Sequence, residues 1–135
     1  MSGRIAVFTL VVKNQAEALE FYTKKVGFEK KTDVSPPGRS RWVTVGPKGQ
    51  DLQLALWQLG SQDSNDWSKA WKPGSMPPIV MYVDDCRKAF VEMKSRGVEF
   101  KQAEPEEQAW GVSATFADPD GNLFSINQLP SKSSW

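Results

Sequence analysis

The side chains of this sequence that can do chemistry are mainly hydroxyls, amides and indoles. Gln53 and Ser125 can hydrogen-bond a carbonyl or an amide of a ligand, or they can satisfy each other or water. Tyr82 can orient a ligand or donate a proton through its hydroxyl, or it can form part of a half-buried wall. Trp42 and Trp57 can stack on a flat aromatic ligand, with core packing or a dimer contact as the alternative. These residue types favour recognition of a small molecule.

The chain contains no histidine, which removes the commonest general base and the commonest metal ligand. It also removes every Ser-His-Asp or Cys-His arrangement. The lone cysteine, Cys86, falls on the apolar stripe of a predicted helix, so we expect it to be inert. The two carboxylates of Asp118-Pro119-Asp120-Gly121-Asn122 are explained by a tight turn. Arg41 can anchor an anion, although its place in the strand alternation favours a solvated arginine.

The bulk properties describe an ordinary folded domain. A length of 135 residues suits one domain, and a net charge of +1 gives no basic footprint for nucleic acid. No apolar run approaches the roughly 18 residues of a membrane span. The first twelve residues predict a strand and no signal peptide. We therefore expect a cytoplasmic protein with neither a nucleic acid nor a membrane as partner.

The same order of elements occurs twice along the chain. The first half predicts a strand at 4–12, a helix capped by Asn14 and ended by Gly27, and strands at 28–34, 41–45 and 51–58. The second half predicts a strand at 78–83, a helix capped by Asp84 or Asp85, and strands at 98–101, 111–116 and 122–128. The sequence therefore predicts an α+β fold in which two tandem βαβββ modules form a curved, mixed, eight-stranded sheet.

The two halves also correspond position by position. Val12 and Val83 are 71 residues apart, as are Thr44 and Thr115, whereas Gly49 and Gly121 are 72 apart. This spacing indicates an internal duplication. We predict a single domain over 1–135, with module 1 at about 4–58, a linker at 59–76, module 2 at about 77–129 and a tail at 130–135. Trp67 and Trp71 lie in the linker, and the sequence leaves open whether they form a lid.

Strand alternation separates two faces of the sheet. One face is apolar in both halves and must pack under the helices. The other face mixes hydroxyls and amides with aromatics, namely Val7, Thr9, Val11, Trp42, Thr44, Gln53, Ala55, Trp57, Pro78, Val80, Tyr82, Ser113, Thr115, Leu123, Ser125 and Asn127. This composition fits a cavity with apolar walls and a few orienting polar groups. The alternative is a solvated or dimer-contacting face.

Two segments carry a resemblance to a known family. They are VFTLVVKNQAEALEFYTKKVGFEK at 7–30 and WGVSATFADPDGNLFSINQ at 110–128. Together they resemble the vicinal oxygen chelate (VOC) superfamily, which includes glyoxalase I, bleomycin-resistance and fosfomycin-resistance proteins and extradiol dioxygenases. The resemblance covers nearly the whole chain and implies the paired βαβββ fold and a homodimer.

The resemblance also places the metal positions of the metal-dependent members. They fall at Val7 and Gln53 in the first half and at Pro78 and Ser125 in the second. The duplication makes Val7 equivalent to Pro78, 71 residues apart, and Gln53 equivalent to Ser125, 72 apart. Val and Pro side chains cannot donate, Ser is a poor neutral ligand, and Gln53 alone cannot hold a transition metal. We therefore predict neither a metal site nor another cofactor.

The predicted function is binding of a small, partly aromatic or apolar molecule, as in the bleomycin-resistance proteins. The near-neutral charge counts against cationic bleomycin itself. The alternative is a metal-independent or atypical VOC enzyme, such as an isomerase, a lyase or a dioxygenase-like protein. The residues predicted to bind the ligand are Thr9, Trp42, Thr44, Gln53, Trp57, Tyr82, Trp110, Ser113 and Ser125.

Overall fold

The structure is a computed structural model that describes residues 3–58 and 72–130. It divides into two units, unit 1 at Met1–Ser75 and unit 2 at Met76–Trp135. The possible lid residues Trp67 and Trp71 lie outside the described residues. No helix in the described ranges is long and apolar enough to cross a membrane.

The described part of unit 1, residues 3–58 and 72–75, contains one helix and a four-stranded mixed sheet. Its elements are β1 (Val7–Val12), α1 (Gln15–Glu20, continuing as a π-helical segment over Phe21–Val26), β2 (Glu29–Val34), β3 (Trp42–Gly46) and β4 (Gln53–Gln58). The strand order is β1-β4-β3-β2, with β1 parallel to β4 and the other pairs antiparallel.

The helix of unit 1 begins and ends where its cap residues predict. Asn14 Oδ1 accepts a hydrogen bond from Glu17 N at 2.9 Å. Gly27 ends the helix with φ 97°, a conformation that glycine adopts without steric cost. Both Gly27 N and Phe28 N donate to the Tyr22 carbonyl. The π-helical second half was not predicted, because π and α segments share a similar apolar pattern.

Unit 2 repeats this plan with a longer regular helix. Its elements are β5 (Ile79–Tyr82), α2 (Cys86–Ser95), β6 (Glu106–Gln108), β7 (Gly111–Ala117) and β8 (Leu123–Gln128). The order is β5-β8-β7-β6, and β5 is parallel to β8. Of the two predicted caps, Asp85 is the N-cap of α2, because its Oδ1 accepts from Lys88 N at 3.0 Å.

One predicted strand of unit 2 is wrong. Residues 98–101 form no strand, and the strand that pairs with the start of β7 is β6. Phe100 makes only an isolated bridge with Phe116. Its ring contacts the rings of Phe90 at 4.3 Å and Phe116 at 5.6 Å between centroids, while Val98 is buried. The apolar residues of this segment therefore mark core packing.

The eight strands form two four-stranded mixed sheets, which confirms the predicted fold class of tandem βαβββ modules. The core of each unit lies on the face that the sequence predicted as apolar. Its buried strand residues are Leu10, Val12, Val43, Val45, Leu54 and Leu56 in unit 1, and Ala114, Phe116, Phe124 and Ile126 in unit 2. Phe8 departs from this pattern, since 37% of its surface is exposed.

A buried amide that the sequence analysis missed fastens α1 to the sheet. Gln15 Nε2 donates to the carbonyls of Arg41 and Leu56 at 2.8 Å each, and its backbone N donates to Gln58 Oε1 at 3.0 Å. Unit 2 keeps part of this device, because Cys86 N donates to Gln128 Oε1 at 2.9 Å. The first residue of each helix is thus tied to the last strand of its own sheet.

Replacing Gln15 by Leu should lower the free energy of unfolding by about 1–3 kcal/mol, because two carbonyls lose their amide donor. Urea denaturation measures the change. The matched control is Gln50→Leu at an exposed loop position, where the effect should stay within about 0.5 kcal/mol. Equal stability of the two variants would show that the Gln15 bonds contribute nothing.

Candidate functional site

The strand register shows which site positions correspond between the two units. In unit 1, β1 pairs Thr9 with Ala55, and in unit 2, β5 pairs Val80 with Ser125. Ser125 therefore corresponds to Ala55, and the predicted equivalence of Gln53 with Ser125 is wrong. The reason is the turn length: Thr44 pairs with Ala55 but Thr115 pairs with Ser125, so the unit 1 hairpin is one residue longer.

This register bears directly on the metal positions implied by the family resemblance. Val7 lies beside Gln53 on β1 and β4, and the position that corresponds to Gln53 in unit 2 is Leu123. Neither Val nor Leu offers a donor atom to a cation. Within the described ranges, no three His, Cys, Asp or Glu side chains come together in a way that could hold a metal ion. The residues at these described positions do not fit the divalent ion of the metal-dependent members.

The face of unit 1 opposite the helix carries a row of hydroxyls. Thr9 and Thr44 both pair with Ala55, from either side, and Thr32 pairs with Thr44. Thr44 is completely buried, whereas Thr9 and Thr32 are half-buried. The row thus crosses four adjacent strands, and three of them contribute a hydroxyl.

Two indoles lie on the same face, next to this row. Trp42 is two residues from Thr44 on β3, and Trp57 is two residues from Ala55 on β4. Their strand partners are Val34 and Val11, so the residues beside the hydroxyl row are apolar on all four strands. Both tryptophans are half-buried. Unit 1 therefore brings together five predicted site residues: Thr9, Trp42, Thr44, Gln53 and Trp57.

The two ends of the Gln53 amide have different surroundings. Its Oε1 accepts hydrogen bonds from Thr44 Oγ1 at 2.6 Å and, more weakly, from Thr32 Oγ1 at 3.4 Å. Its Nε2 donates to no group in the described part of the chain. The oxygen is therefore satisfied inside unit 1, while the two N–H donors remain available.

The corresponding face of unit 2 carries a second polar row. Asn127 pairs with Tyr82 on one side and Ser113 on the other, and the next row along joins Val80, Ser125 and Thr115. Ser125 Oγ donates to Asn127 Oδ1 at 2.6 Å. Tyr82 is 59% exposed and Val80 is 54% exposed. Asn127 is a further candidate site residue, which the sequence analysis placed on this face but did not select, although its spacing of two from Ser125 was a usable signal.

Trp110 stands apart from the other predicted site residues of unit 2. It lies in the two-residue turn between β6 and β7 and is half-buried. Tyr82, Ser113 and Ser125 lie on strands of one sheet face, whereas Trp110 belongs to no strand. The structure brings the first three together and leaves Trp110 at the end of the sheet.

Arg41 is not a solvated arginine. Its Nε and Nη2 donate to the two carboxylate oxygens of Asp33 at 2.8 Å each. This bidentate hydrogen bonding holds the pKa of Asp33 well below its ordinary value and raises that of Arg41. The guanidinium is already committed to a carboxylate of its own unit, so Arg41 is a poor candidate for binding an anionic ligand.

The carboxylate of Asp118 is structural, as predicted. Asp118 Oδ1 accepts from Asp120 N at 2.9 Å and from Asn122 N at 2.8 Å, and its Oδ2 accepts from Asn122 Nδ2 at 2.9 Å. Both Asp118 and Asn122 are buried, and Gly121 has a φ of 85°. These bonds build the turn between β7 and β8.

Cys86 is buried at the first position of α2, and this burial raises the pKa of its thiol. Its Sγ contacts the carbonyl of Ile126 at 3.5 Å. A protonated, enclosed thiol is a weak nucleophile, which agrees with the expected inertness of this residue.

Comparison with known proteins identifies the family. The Glyoxalase/Bleomycin resistance protein/Dioxygenase superfamily matches residues 4–126, so the chain belongs to that superfamily, and the resemblance found in the sequence is confirmed. A Bacillus subtilis relative, the uncharacterized protein YurT, is 37% identical over 93% of this chain and 98% of its own length. The crystal structure of TnmS3, an antibiotic binding protein from Streptomyces sp. CB03234, is 31% identical with a TM-score of 0.81, covering 96% of this chain and 98% of that one. The structure of UcmS2 is 32% identical with a TM-score of 0.82, covering 94% and 98%.

The Asp33–Arg41 pair should make stability depend on pH at the acid end. A carboxyl whose pKa is lower in the folded state contributes fully above the unfolded value of about 4 and loses that contribution as the pH falls towards the folded value. The difference in unfolding free energy between the natural chain and Asp33→Asn should therefore be constant near neutral pH and shrink below about pH 4. Urea denaturation from neutral to acid pH measures it. The difference in unfolding free energy between the natural chain and Arg41→Gln should shrink over the same pH range. A difference that does not depend on pH would contradict the assignment.

Proposed function

We propose that this protein binds a small, partly aromatic or apolar molecule on the mixed faces of its sheets, without a metal ion. The observation that carries the proposal is the surface of unit 1, where Trp42 and Trp57 lie on one side of a row of hydroxyls and the Gln53 amide lies on the other. Flat apolar side chains beside a few fixed polar groups are the usual composition of a small-molecule site. The exposed Tyr82 and Val80 give the unit 2 face a similar character.

Similarity to an antibiotic binding protein supports the same function. TnmS3 shares the fold over nearly its whole length at 31% identity. The family also includes enzymes, so membership alone does not distinguish binding from catalysis. Binding is favoured here because the buried carboxylate Asp118 is engaged in a turn, and the Tyr82 hydroxyl makes no hydrogen bond within the described residues. The Asp118 carboxylate is therefore committed to the turn, and no described residue orients the Tyr82 hydroxyl for proton transfer.

The proposal includes the assembly and the location that the sequence predicts. We infer a homodimer, as the family resemblance implies, and a cytoplasmic protein. Size-exclusion chromatography with light scattering gives the oligomeric state without knowledge of the ligand.

Fluorene, a flat uncharged hydrocarbon of three fused rings, serves as a probe of this function. It should bind saturably and change the tryptophan emission, because Trp42 and Trp57 are proposed to contact it. Trp57→Ala should weaken binding by about tenfold or more, since an aromatic contact and its buried area are lost. Fluorescence titration and calorimetry give the dissociation constants.

The control for that experiment is Val91→Ala, which shortens an apolar side chain that is 65% exposed on α2. It should leave the affinity for fluorene unchanged. Elemental analysis of the same preparation, purified without chelators, should find no stoichiometric transition metal. Absence of any saturable binding would contradict the binding function, and a stoichiometric metal would contradict its metal-free character.

A further inference from the structure

The hydrogen bonds on the two sheet faces fix which polar groups a ligand can present. We propose that Gln53 and Asn127 act as hydrogen-bond donors to the ligand, so that the protein selects aromatic molecules carrying an acceptor such as a carbonyl oxygen over those carrying an N–H donor. This inference rests on the proposed function and adds the polarity of the ligand. Each amide acts within its own unit.

The amide of Gln53 is held in one orientation by a hydroxyl. A separation of 2.6 Å between Thr44 Oγ1 and the Gln53 side chain suits an O–H···O hydrogen bond and is too short for an N–H···O bond. Thr44 must therefore face the oxygen of the amide. The weaker contact from Thr32 Oγ1 reaches the same atom. With its oxygen occupied, the side chain has only N–H groups to offer.

Burial of Thr44 makes this orientation costly to reverse. The residue has no exposed surface, so no water can replace its acceptor. If the Gln53 amide turned over to accept from a ligand, the Thr44 hydroxyl would face an N–H group and lose its hydrogen bond. A buried hydroxyl without an acceptor is unfavourable. Gln53 is half-buried, so its nitrogen remains within reach of a ligand on that face.

Unit 2 contains the same device built from different residues. Ser125 Oγ donates to Asn127 Oδ1 at 2.6 Å, again the separation of an O–H···O bond. The Asn127 amide nitrogen finds no acceptor among the residues that the structure describes. Because Ser125 is half-buried, water can replace this bond, and the orientation of Asn127 is held less firmly than that of Gln53.

Three probes of nearly the same shape test the polarity. Fluorene carries no polar group, 9-fluorenone carries a carbonyl at the same ring position, and carbazole carries an N–H there. We expect 9-fluorenone to bind about tenfold more tightly than fluorene, because it gains a hydrogen bond from an amide nitrogen that has no acceptor among the described residues. Carbazole should bind no more tightly than fluorene. Tryptophan fluorescence titration gives the three dissociation constants for the full chain.

Two variants assign the preference to the amides. The double variant Gln53→Glu/Asn127→Asp replaces both N–H₂ groups by carboxylate oxygens. The preference for 9-fluorenone over fluorene should therefore disappear, and carbazole should bind more tightly than it does to the natural chain. Thr44→Val keeps the shape of the residue but removes the hydroxyl, which frees the Gln53 amide to turn. The difference in affinity between 9-fluorenone and carbazole should therefore become smaller. The control Gln50→Glu makes the same change at an exposed loop position and should leave the ratios of the three dissociation constants unchanged. Circular dichroism checks folding, and Thr44→Val provides the test if the double variant does not fold.

Each outcome separates the two proposals. If none of the three probes binds, the proposed function fails and the polarity inference fails with it. If fluorene binds but 9-fluorenone binds no better, or if carbazole binds best, the binding function stands and the polarity inference is overturned. A tenfold preference for 9-fluorenone that survives in both the double variant and Thr44→Val would also overturn the inference.

Discussion

Parallel pairing of the first and last strands of each unit is the constraint on which the rest of the structure depends. Parallel neighbours need a crossover connection, and the helix in that connection covers one face of the sheet. Side chains alternate along a strand, so the register of β1 on β4 decides which residues lie under the helix and which lie opposite it. A slip of one residue would bury Gln53 and Trp57 and expose Leu54 and Leu56. The apolar core therefore fixes the candidate site, because the same register sets both.

The helix ties help to hold this register. In unit 1 the Gln15 amide reaches the carbonyl of Leu56 on β4, and Gln58 accepts from the start of α1. In unit 2 the corresponding bond joins Cys86 N to Gln128. Both ties attach the beginning of the helix to the strand that also pairs with the first strand. The accepting residue is a glutamine in both units, whereas the first residue of the helix differs, and this shared connection is consistent with an internal duplication.

Much of the fold could be predicted from the sequence, because its signals are local. The caps Asn14, Asp85 and Gly27 act on their own helix ends, and alternating apolar residues mark the buried face. The failures came where local signals were absent or ambiguous. β6 is the polar, exposed segment Glu106–Gln108 and shows no strand pattern. Residues 98–100 are mostly apolar because they enter the core.

The site could be predicted in its residue types but only partly in its geometry. Alternation alone placed Thr44, Gln53 and Trp57 on one face. The predicted equivalence of Gln53 with Ser125 was wrong because the hairpin of unit 1 is one residue longer than that of unit 2. A count along the sequence does not show where in the hairpin the extra residue lies. The direction of an amide also depends on a hydroxyl from another strand, so the role of Thr44 became visible only with the strands in place.

The superfamily includes metal-dependent enzymes, but the polar groups on the sheet faces of this chain are amides and hydroxyls. Such groups suit hydrogen bonding to an organic ligand. The most direct test of this account is a two-dimensional ¹H–¹⁵N NMR spectrum recorded during titration with 9-fluorenone. We predict that the largest chemical-shift changes occur at the indole N–H of Trp42 and Trp57 and at the side-chain N–H₂ of Gln53. Changes confined to the exposed side of α2, around Val91 and Arg87, would contradict the assignment of the ligand to the sheet face opposite the helix.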